Sequence, residues 1–333
     1  MQAVVVSNLP SKRTDYFIQA GEHLNVDSRF VTYRELEKEL STYDHTLVKL
    51  EPPRYDETDF VVYNRLCRDY VRLLTRIGGI ERAESVSFLN TPQTIVSALD
   101  KYESKLALSG LQATPLLSAA ITDFGSLTEL LQSQKSKRVF IKPRFGSGAG
   151  GILALRQHPR TGLWVVYTTM LAVKGHFCNT KRIHRLTDQV EISKYADAVL
   201  KEGALVEEWI LKDAFGEGGN YDLRVVCQFG KVEYVVVRYS KGPITNLHLN
   251  NKAGDFDDLD LPQTLSHQIQ ELCVSATKQL GLQVAGVDVL LEKDSRRPYI
   301  IEVNGQGDHI YRDLFGENRI YKNQIKAFAA LYH

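Results

Sequence analysis

The chain alternates short apolar runs with amphipathic stretches from its start. "AVVVSN" (Ala3 to Asn8) is a compact apolar run stopped by Asn8, Pro10 and Ser11, which reads as a buried parallel strand. "TDYFIQAGEHLN" follows with helical spacing and Thr14 as its expected cap. "SRFVTYREL", "TLVKLEPP" and "FVVYNRL" continue the alternation of strands and helices. The pattern predicts an α/β open sheet over roughly residues 1–90, without the GxGxxG turn that a dinucleotide site would need.

Downstream the pattern shifts towards hairpins. Thr91-Pro92 opens a helix, with Thr91 as N-cap and Pro92 at the first helical position. A second helix is expected from Lys101 to Leu108. "RVFIKPRF" predicts a strand, "GSGAGG" a loop, and "GILALRQHPRTGLWVVYTTM" a hairpin turning at Arg160 to Gly162. A helix ("ISKYADAVLKEG") and a strand ("ALVEEWIL") precede two strands around Phe229-Gly230. An amphipathic helix ends at Gly281, the strands "AGVDVLL" and "YIIEVN" follow, and a terminal helix closes the chain.

Composition narrows the class. The 333 residues are 43% hydrophobic and 24% charged, with a formal charge of +1 from 41 basic and 40 acidic side chains. That balance gives no bulk attraction for nucleic acid. Cys67, Cys178, Cys227 and Cys273 form no CxxC pair, so a reducing compartment is expected rather than disulfides or a structural zinc. No apolar run approaches membrane-spanning length, and the expected location is the cytoplasm.

Two stretches carry chemistry. "IKPRFGSGAGGI" sets Lys142 at a strand end before Gly146, Ser147, Gly148, Ala149, Gly150 and Gly151. Such a loop either cradles phosphate oxygens through its N–H groups or is a flexible hairpin tip. In "AGVDVLLEKDSRRPYIIEVNG", Asp288, Glu302 and Asn304 interrupt apolar strands, where ionised carboxylates are costly. Glu302 and Asn304 share a strand face. A three- or five-residue loop centred on Ser295 pairs Asp288 with Glu302, whereas a two-residue loop at Ser295-Arg296 opposes them unless a bulge intervenes. In the favourable register the three oxygen-bearing side chains suit Mg²⁺. Asp222 can accept from ribose and Arg224 can neutralise phosphate or carboxylate, or the two form an i,i+2 ion pair on a sheet surface. Arg238, Asn246 and His248 lie in the following stretch, where His248 is given a positioning role only.

The ordered set "DK" (Asp100-Lys101), "FIKPRFGSGAGGI", "LVEEWI", "YDLRVV", "TNLH" (Thr245 to His248), "AGVDVL" and "IIEVN" resembles the ATP-grasp superfamily. The resemblance is strongest to carboxylate–amine ligases typified by the ribosomal-protein glutamate ligase RimK and glutathione synthetase, and it covers about two-thirds of the chain. It implies an α+β ATP-grasp fold in which residues 1–90 form a pre-ATP-grasp domain. Residues 91–205 would then carry the lysines and glycine loop, and 206–333 the magnesium site. By the same resemblance Lys101 and Lys142 contact ATP phosphates under the Gly146–Gly151 loop. Glu207, Glu208, Trp209 and Ile210 form the hinge that holds adenine, and Asp222 binds ribose, with Asn246 and His248 also on the nucleotide side. Arg224 and Arg238 face the reacting groups, and Asp288, Glu302 and Asn304 hold Mg²⁺ or Mn²⁺.

The implied reaction joins a small-molecule or peptide carboxylate to an amine at the expense of ATP, through an acyl phosphate. The implied protein needs no nucleic acid or membrane, and a homodimer is the family's common form. A hydroxyl kinase and a non-catalytic nucleotide binder share the same pocket residues and stand as alternatives. After Asn304 the family's small-residue turn is replaced by "GQGDHIYRDLFGENRIYKN", where Asp308, His309, Tyr311 and Arg312 are candidate substrate contacts or an ordinary surface loop. The basic stretch Gly175 to Arg185 either attracts an acidic substrate or is simply solvated.

Overall fold

The computed structural model describes residues 1–216, 219–249, 251–307 and 316–330. The apolar run at the N-terminus becomes β1 (Gln2–Ser7), central in a sheet with β2 (Asp27–Thr32), β3 (Thr46–Leu50) and β4 (Val86–Phe88). The order is β2-β1-β3-β4, and every pairing is parallel. Parallel neighbours need crossovers, supplied here by α1 (Lys12–His23), α2 (Tyr33–Glu39) and α3 (Phe60–Gly78). Both faces of the sheet are covered, which explains the unbroken apolar runs. Val4, Val6 and Val48 pack with Leu74 and Ile77 of α3. Ala3, Val5 and Leu47 pack with Phe17 of α1 and with Ile320, Tyr321 and Ile325 of the C-terminal helix α9 (Arg319–Ala329). The cap of α1 is Ser11 rather than Thr14. Thr14 is the reciprocal partner of a capping box, accepting from the Ser11 N–H at 2.7 Å.

A second, antiparallel sheet contains β5 (Leu116–Ser118), β6 (Arg138–Pro143), β7 (Leu153–Gln157), β8 (Trp164–Val173), β9 (His176–Leu186) and β10 (Ala204–Glu208). Its order is β5-β10-β6-β7-β8-β9, and α6 (Phe124–Gln132) and α7 (Gln189–Lys201) share its core. The third sheet holds β11 (Asn220–Gln228), β12 (Lys231–Ser240), β13 (Lys252–Asp255), β14 (Val284–Leu291) and β15 (Pro298–Asn304), in the order β13-β12-β11-β14-β15. One of its faces packs Val225, Val287 and Val289 against Ile269, Cys273 and Ala276 of α8 (Gln263–Gln279). The opposite face carries the charged residues described below.

The helices do not respect chain order. Ala98 of α4 (Pro92–Leu99) and Leu108 beyond α5 (Lys101–Ala107) join the core of the third sheet, and Ile95 joins that of the first. The division expected at residue 91 therefore separates these helices from the cores they complete, as does grouping α9 with the third sheet. Apolar spacing tells that a helix is buried on one side but not which sheet covers it.

The register of β14 and β15 is settled by a bulge rather than by loop length alone. Next to the turn Leu291 faces Pro298 and Val289 faces Ile300; continued unbroken, that register would pair Asp288 with Ile301. A bulge shifts the pairing by one residue, so Asp288 faces Glu302 and Gly286 faces Asn304.

Candidate active site

The second and third sheets, with helices that cover the first, meet around a cleft of about 560 Å³, a size ordinary for a small-molecule site. Lys142 ends β6 and Glu207 lies on the adjacent β10, where Lys142 pairs with Leu205; the two side chains are diagonal neighbours on one face. Lys142 Nζ donates to Glu207 Oε2 at 2.8 Å. Thr114 Oγ1 donates to the same oxygen at 2.9 Å, and Lys105 Nζ lies 3.3 Å away. Glu207 is 1% exposed, and its second oxygen, Oε1, is buried without a hydrogen-bond partner. Burial pushes this carboxyl up, but Lys105 and Lys142 pull harder and hold it at about 2. Burial in turn lowers the Lys105 ammonium to about 8, against the pull of Glu207. An orphaned, ionised acceptor at the end of an apolar slot suits an exocyclic amine such as that of adenine.

Lys101 opens α5, and Asp100 serves as N-cap by accepting from the Tyr102 and Glu103 N–H groups. The Lys101 ammonium donates to the Gly146 carbonyl at 2.7 Å and lies 3.4 Å from Glu302 Oε1. Arg144 anchors the base of the glycine loop through a paired contact with Asp100, at 2.8 and 2.6 Å. The loop from Gly146 to Gly150 lines the cleft. Gly151 does not line it. Its N–H donates to Asn179 Oδ1 at 2.9 Å, its φ is +70°, and an added Cβ would meet the Phe60 ring at 2.3 Å.

The charged face of the third sheet is ordered by cross-strand register. Asp222 lies opposite Arg238, and Arg224 lies opposite Asp288, which lies opposite Glu302. The i,i+2 pairing of Asp222 with Arg224 is therefore not formed. Asp222 accepts from Arg238 Nε at 2.7 Å, from Lys212 Nζ at 2.9 Å, and from the Thr245 hydroxyl. Burial opposes its ionisation, but Arg238 and Lys212 hold it well below the usual carboxylate range. With both oxygens engaged and 2% exposure, Asp222 organises the cations of this face where it borders the cleft.

Asp288 Oδ1 lies 2.7 Å from Arg224 Nε and 3.1 Å from Arg238 Nη2. Neither contact has hydrogen-bond alignment, so this buried oxygen keeps an unmet acceptor. Burial pushes Asp288 upward against the two guanidiniums, while Glu302 is held low despite its burial, chiefly by Lys101 and Lys142. Among the described residues no three His, Cys, Asp or Glu side chains gather as a metal group. The donor set is instead two carboxylates and an amide, with Asn304 on the same face as Glu302. That sparse set fits Mg²⁺, which takes most of its shell from water and phosphate.

The hinge behaves differently from expectation. Glu207, Glu208 and Ile210 line the cleft, but the Trp209 ring packs against Phe140 and Tyr167, at 5.4 and 6.5 Å. The Glu208 and Trp209 N–H groups donate to the Pro115 and Arg138 carbonyls and are not available to a base. Asn246 lines the cleft. The side chain of His248 and the candidates Asp308, His309, Tyr311 and Arg312 lie outside the described residues. In the basic stretch Gly175 to Arg185, β9 lies at the sheet edge with Lys181, Arg182 and Arg185 exposed, and none of these lines the cleft.

Sequence reasoning missed Lys105, Thr114 and Lys212. Lys105 was detectable: four residues after Lys101 on a helix, it shares that residue's face.

Residues 186–312 match the model of a RimK-like ATP-grasp domain. The structure of a D-cycloserine synthetase superposes with a TM-score of 0.65, covering 99% of this chain and 100% of that one at 12% identity. The protein has an ATP-grasp fold. The D-alanine–D-alanine ligase from Bacillus anthracis shares this ATP-grasp fold, with a TM-score of 0.58 over 99% of this chain and 96% of that one, at 13% identity. A probable alpha-L-glutamate ligase of Thioalkalivibrio sulfidiphilus (strain HL-EbGR7) is 36% identical over 107 residues. That match spans 32% of this chain and 31% of the relative's length. Among the described residues no helix of this ATP-grasp protein is long and apolar enough to cross a membrane.

Proposed function

We propose that the protein is an ATP-dependent carboxylate–amine ligase working through an acyl phosphate. The observation that carries the reading is convergence. The glycine loop with Lys101 and Lys142, the orphaned oxygen of Glu207, and the Asp288–Glu302–Asn304 face all border one cleft. The similarity to a probable alpha-L-glutamate ligase, a D-cycloserine synthetase and a D-alanine–D-alanine ligase supports the same chemistry.

In this reading Glu207 accepts from the adenine amine, and the Gly146–Gly150 loop and the two lysines bind the triphosphate. Asp288, Glu302 and Asn304 would hold Mg²⁺ or Mn²⁺, which when bound would supply charge neutralisation for the phosphates. The substrate carboxylate attacks the γ-phosphorus, forming a C–O–P linkage and releasing ADP. A neutral amine then attacks the acyl carbon, the C–N bond forms, and the C–O bond to phosphate breaks. Phosphate leaves, and the amine's proton passes to solvent. Arg224, facing the cleft beside Asp288, balances charge on the reacting carboxylate, and Arg238 holds Asp222 and Asp288 in place. The protein's contribution is position and electrostatics, which is what phosphoryl transfer demands.

The test is phosphate release by the purified protein with Mg²⁺–ATP, across pooled carboxylic acids with and without pooled amines. Release that requires both an acid and an amine is the expected result. ADP formed without free phosphate, and without need of an amine, would replace the ligase with a kinase.

A further inference from the structure

The cleft extends beyond the nucleotide residues to the helices and loop that cover the first sheet. There its described lining comes from α1, from the segment between β3 and α3, and from α3 and α4. We infer that this compartment binds a co-substrate, and that this co-substrate is an amino acid, free or at a peptide end, with an apolar or aromatic side chain and a single carboxylate. The inference rests on the ligase reading above and names its substrate class.

The wall is aromatic. Tyr55, Tyr63 and Tyr70 line it, with Pro53, Val71 and Leu99. All three phenol groups are engaged with the protein. Tyr55 Oη donates to the Leu66 carbonyl at 3.3 Å, Tyr63 Oη to the Ser147 carbonyl at 3.4 Å, and Tyr70 Oη to Gln306 Oε1 at 3.0 Å. With the hydroxyls so committed, the rings are what remain to meet a ligand, and rings favour apolar or aromatic groups.

One cation stands in this wall. Among the described lining residues up to Leu99, Arg13 alone is charged. Its Nε lies 3.1 Å from Glu51 Oε2, without hydrogen-bond alignment. Glu51, itself 1% exposed, is already paired with Lys49 at 2.8 Å. Among the described residues two cations thus share one buried acid, which leaves one positive charge without an acid of its own beside the cleft. A single carboxylate satisfies it, and Arg13 retains the donors to bind one. A glutamate substrate brings two carboxylates, and the second would face tyrosine rings and proline, where an unpaired charge is costly.

The experiment uses the full chain loaded with Mg²⁺ and the non-hydrolysable nucleotide AMP-PNP, whose binding is measured first by calorimetry. Phenylalanine, leucine, glutamate and phenethylamine are then titrated at up to millimolar concentration. Phenylalanine and leucine are expected to bind at least about tenfold more tightly than glutamate or phenethylamine, the scale of one charge-assisted contact. Arg13→Leu should lose that margin while still binding AMP-PNP, and Arg13→Lys should recover part of it. Tyr55→Ala, which leaves the Arg13–Glu51 pair untouched, should weaken phenylalanine binding while the margin of leucine over glutamate is kept. Equal binding of glutamate, phenethylamine as tight as phenylalanine, an unaffected Arg13→Leu, or no amino acid bound would each overturn the inference. Failure of AMP-PNP itself to bind would instead overturn the ligase reading.

Discussion

At the scale of single residues the cleft depends on Glu207, whose charge is sustained by two lysines of different standing. Lys142 makes the direct hydrogen bond at 2.8 Å, and removing it leaves Glu207 with Lys105 and Thr114. Lys142→Ala should therefore fold, as circular dichroism would show, while turnover drops by about 100-fold or more, the cost of losing one pre-positioned electrostatic donor. Phosphate release within a few-fold of the parent would remove Lys142 from the chemistry. Lys105 makes a pH-dependent statement. Its folded pKa of about 8 lies below its ordinary 10.5. Between those values the unfolded chain holds a proton that the folded chain has given up. Stability from this group therefore rises with pH across that window and is flat below it. Lys105→Met should remove that rise, read as urea midpoints at successive pH values from 7 to 10.5. An unchanged pH slope in the variant would assign the rise to another group.

At the scale of elements, the glycine loop is where backbone conformation and packing combine. Gly148 and Gly151 both have φ of +70°, but only Gly151 is hemmed in, by Phe60 and Pro143. Gly148→Ala should cost about 1 kcal/mol of backbone strain. Gly151→Ala adds a collision and should cost about 2–4 kcal/mol, with the loop displaced and turnover reduced. Equal urea midpoints for the two variants would mean that Phe60 yields freely. The loop, the lysines and the acidic hairpin were legible because glycine, lysine and buried carboxylates are conspicuous in apolar strands. Two things were not. The bulge that pairs Asp288 with Glu302 leaves no mark in the alternation of "PYIIEVN", since an extra isoleucine reads like any other apolar position. The cross-strand partners of Asp222 and Arg224 depend on which strands become neighbours, and i,i+2 spacing does not carry that information.

At the scale of the whole molecule, the cleft draws residues from strands of the second and third sheets and from the helices and loop that pack on the first, and α9 ties the chain's end to that first sheet. A ligand spanning the cleft binds only the folded arrangement, so it must stabilise the protein, by about 2.7 kcal/mol at 100 times its Kd. For a chain of this size that is a rise of several degrees in Tm. The metal face determines whether nucleotide alone can achieve it. Without a divalent cation the triphosphate meets Glu302 and Asp288 as like charges at close range, in a cleft whose low dielectric amplifies the repulsion. The Tm rise with AMP-PNP should therefore be large with Mg²⁺ and small in EDTA, and Glu302→Gln should bring the two conditions closer together by removing one repelling charge. A rise of the same size in EDTA would mean that Lys101, Lys142 and the two arginines already neutralise the phosphates. In that case the carboxylates on β14 and β15 would be counter-ions to Arg224 and Lys101 rather than ligands to a metal.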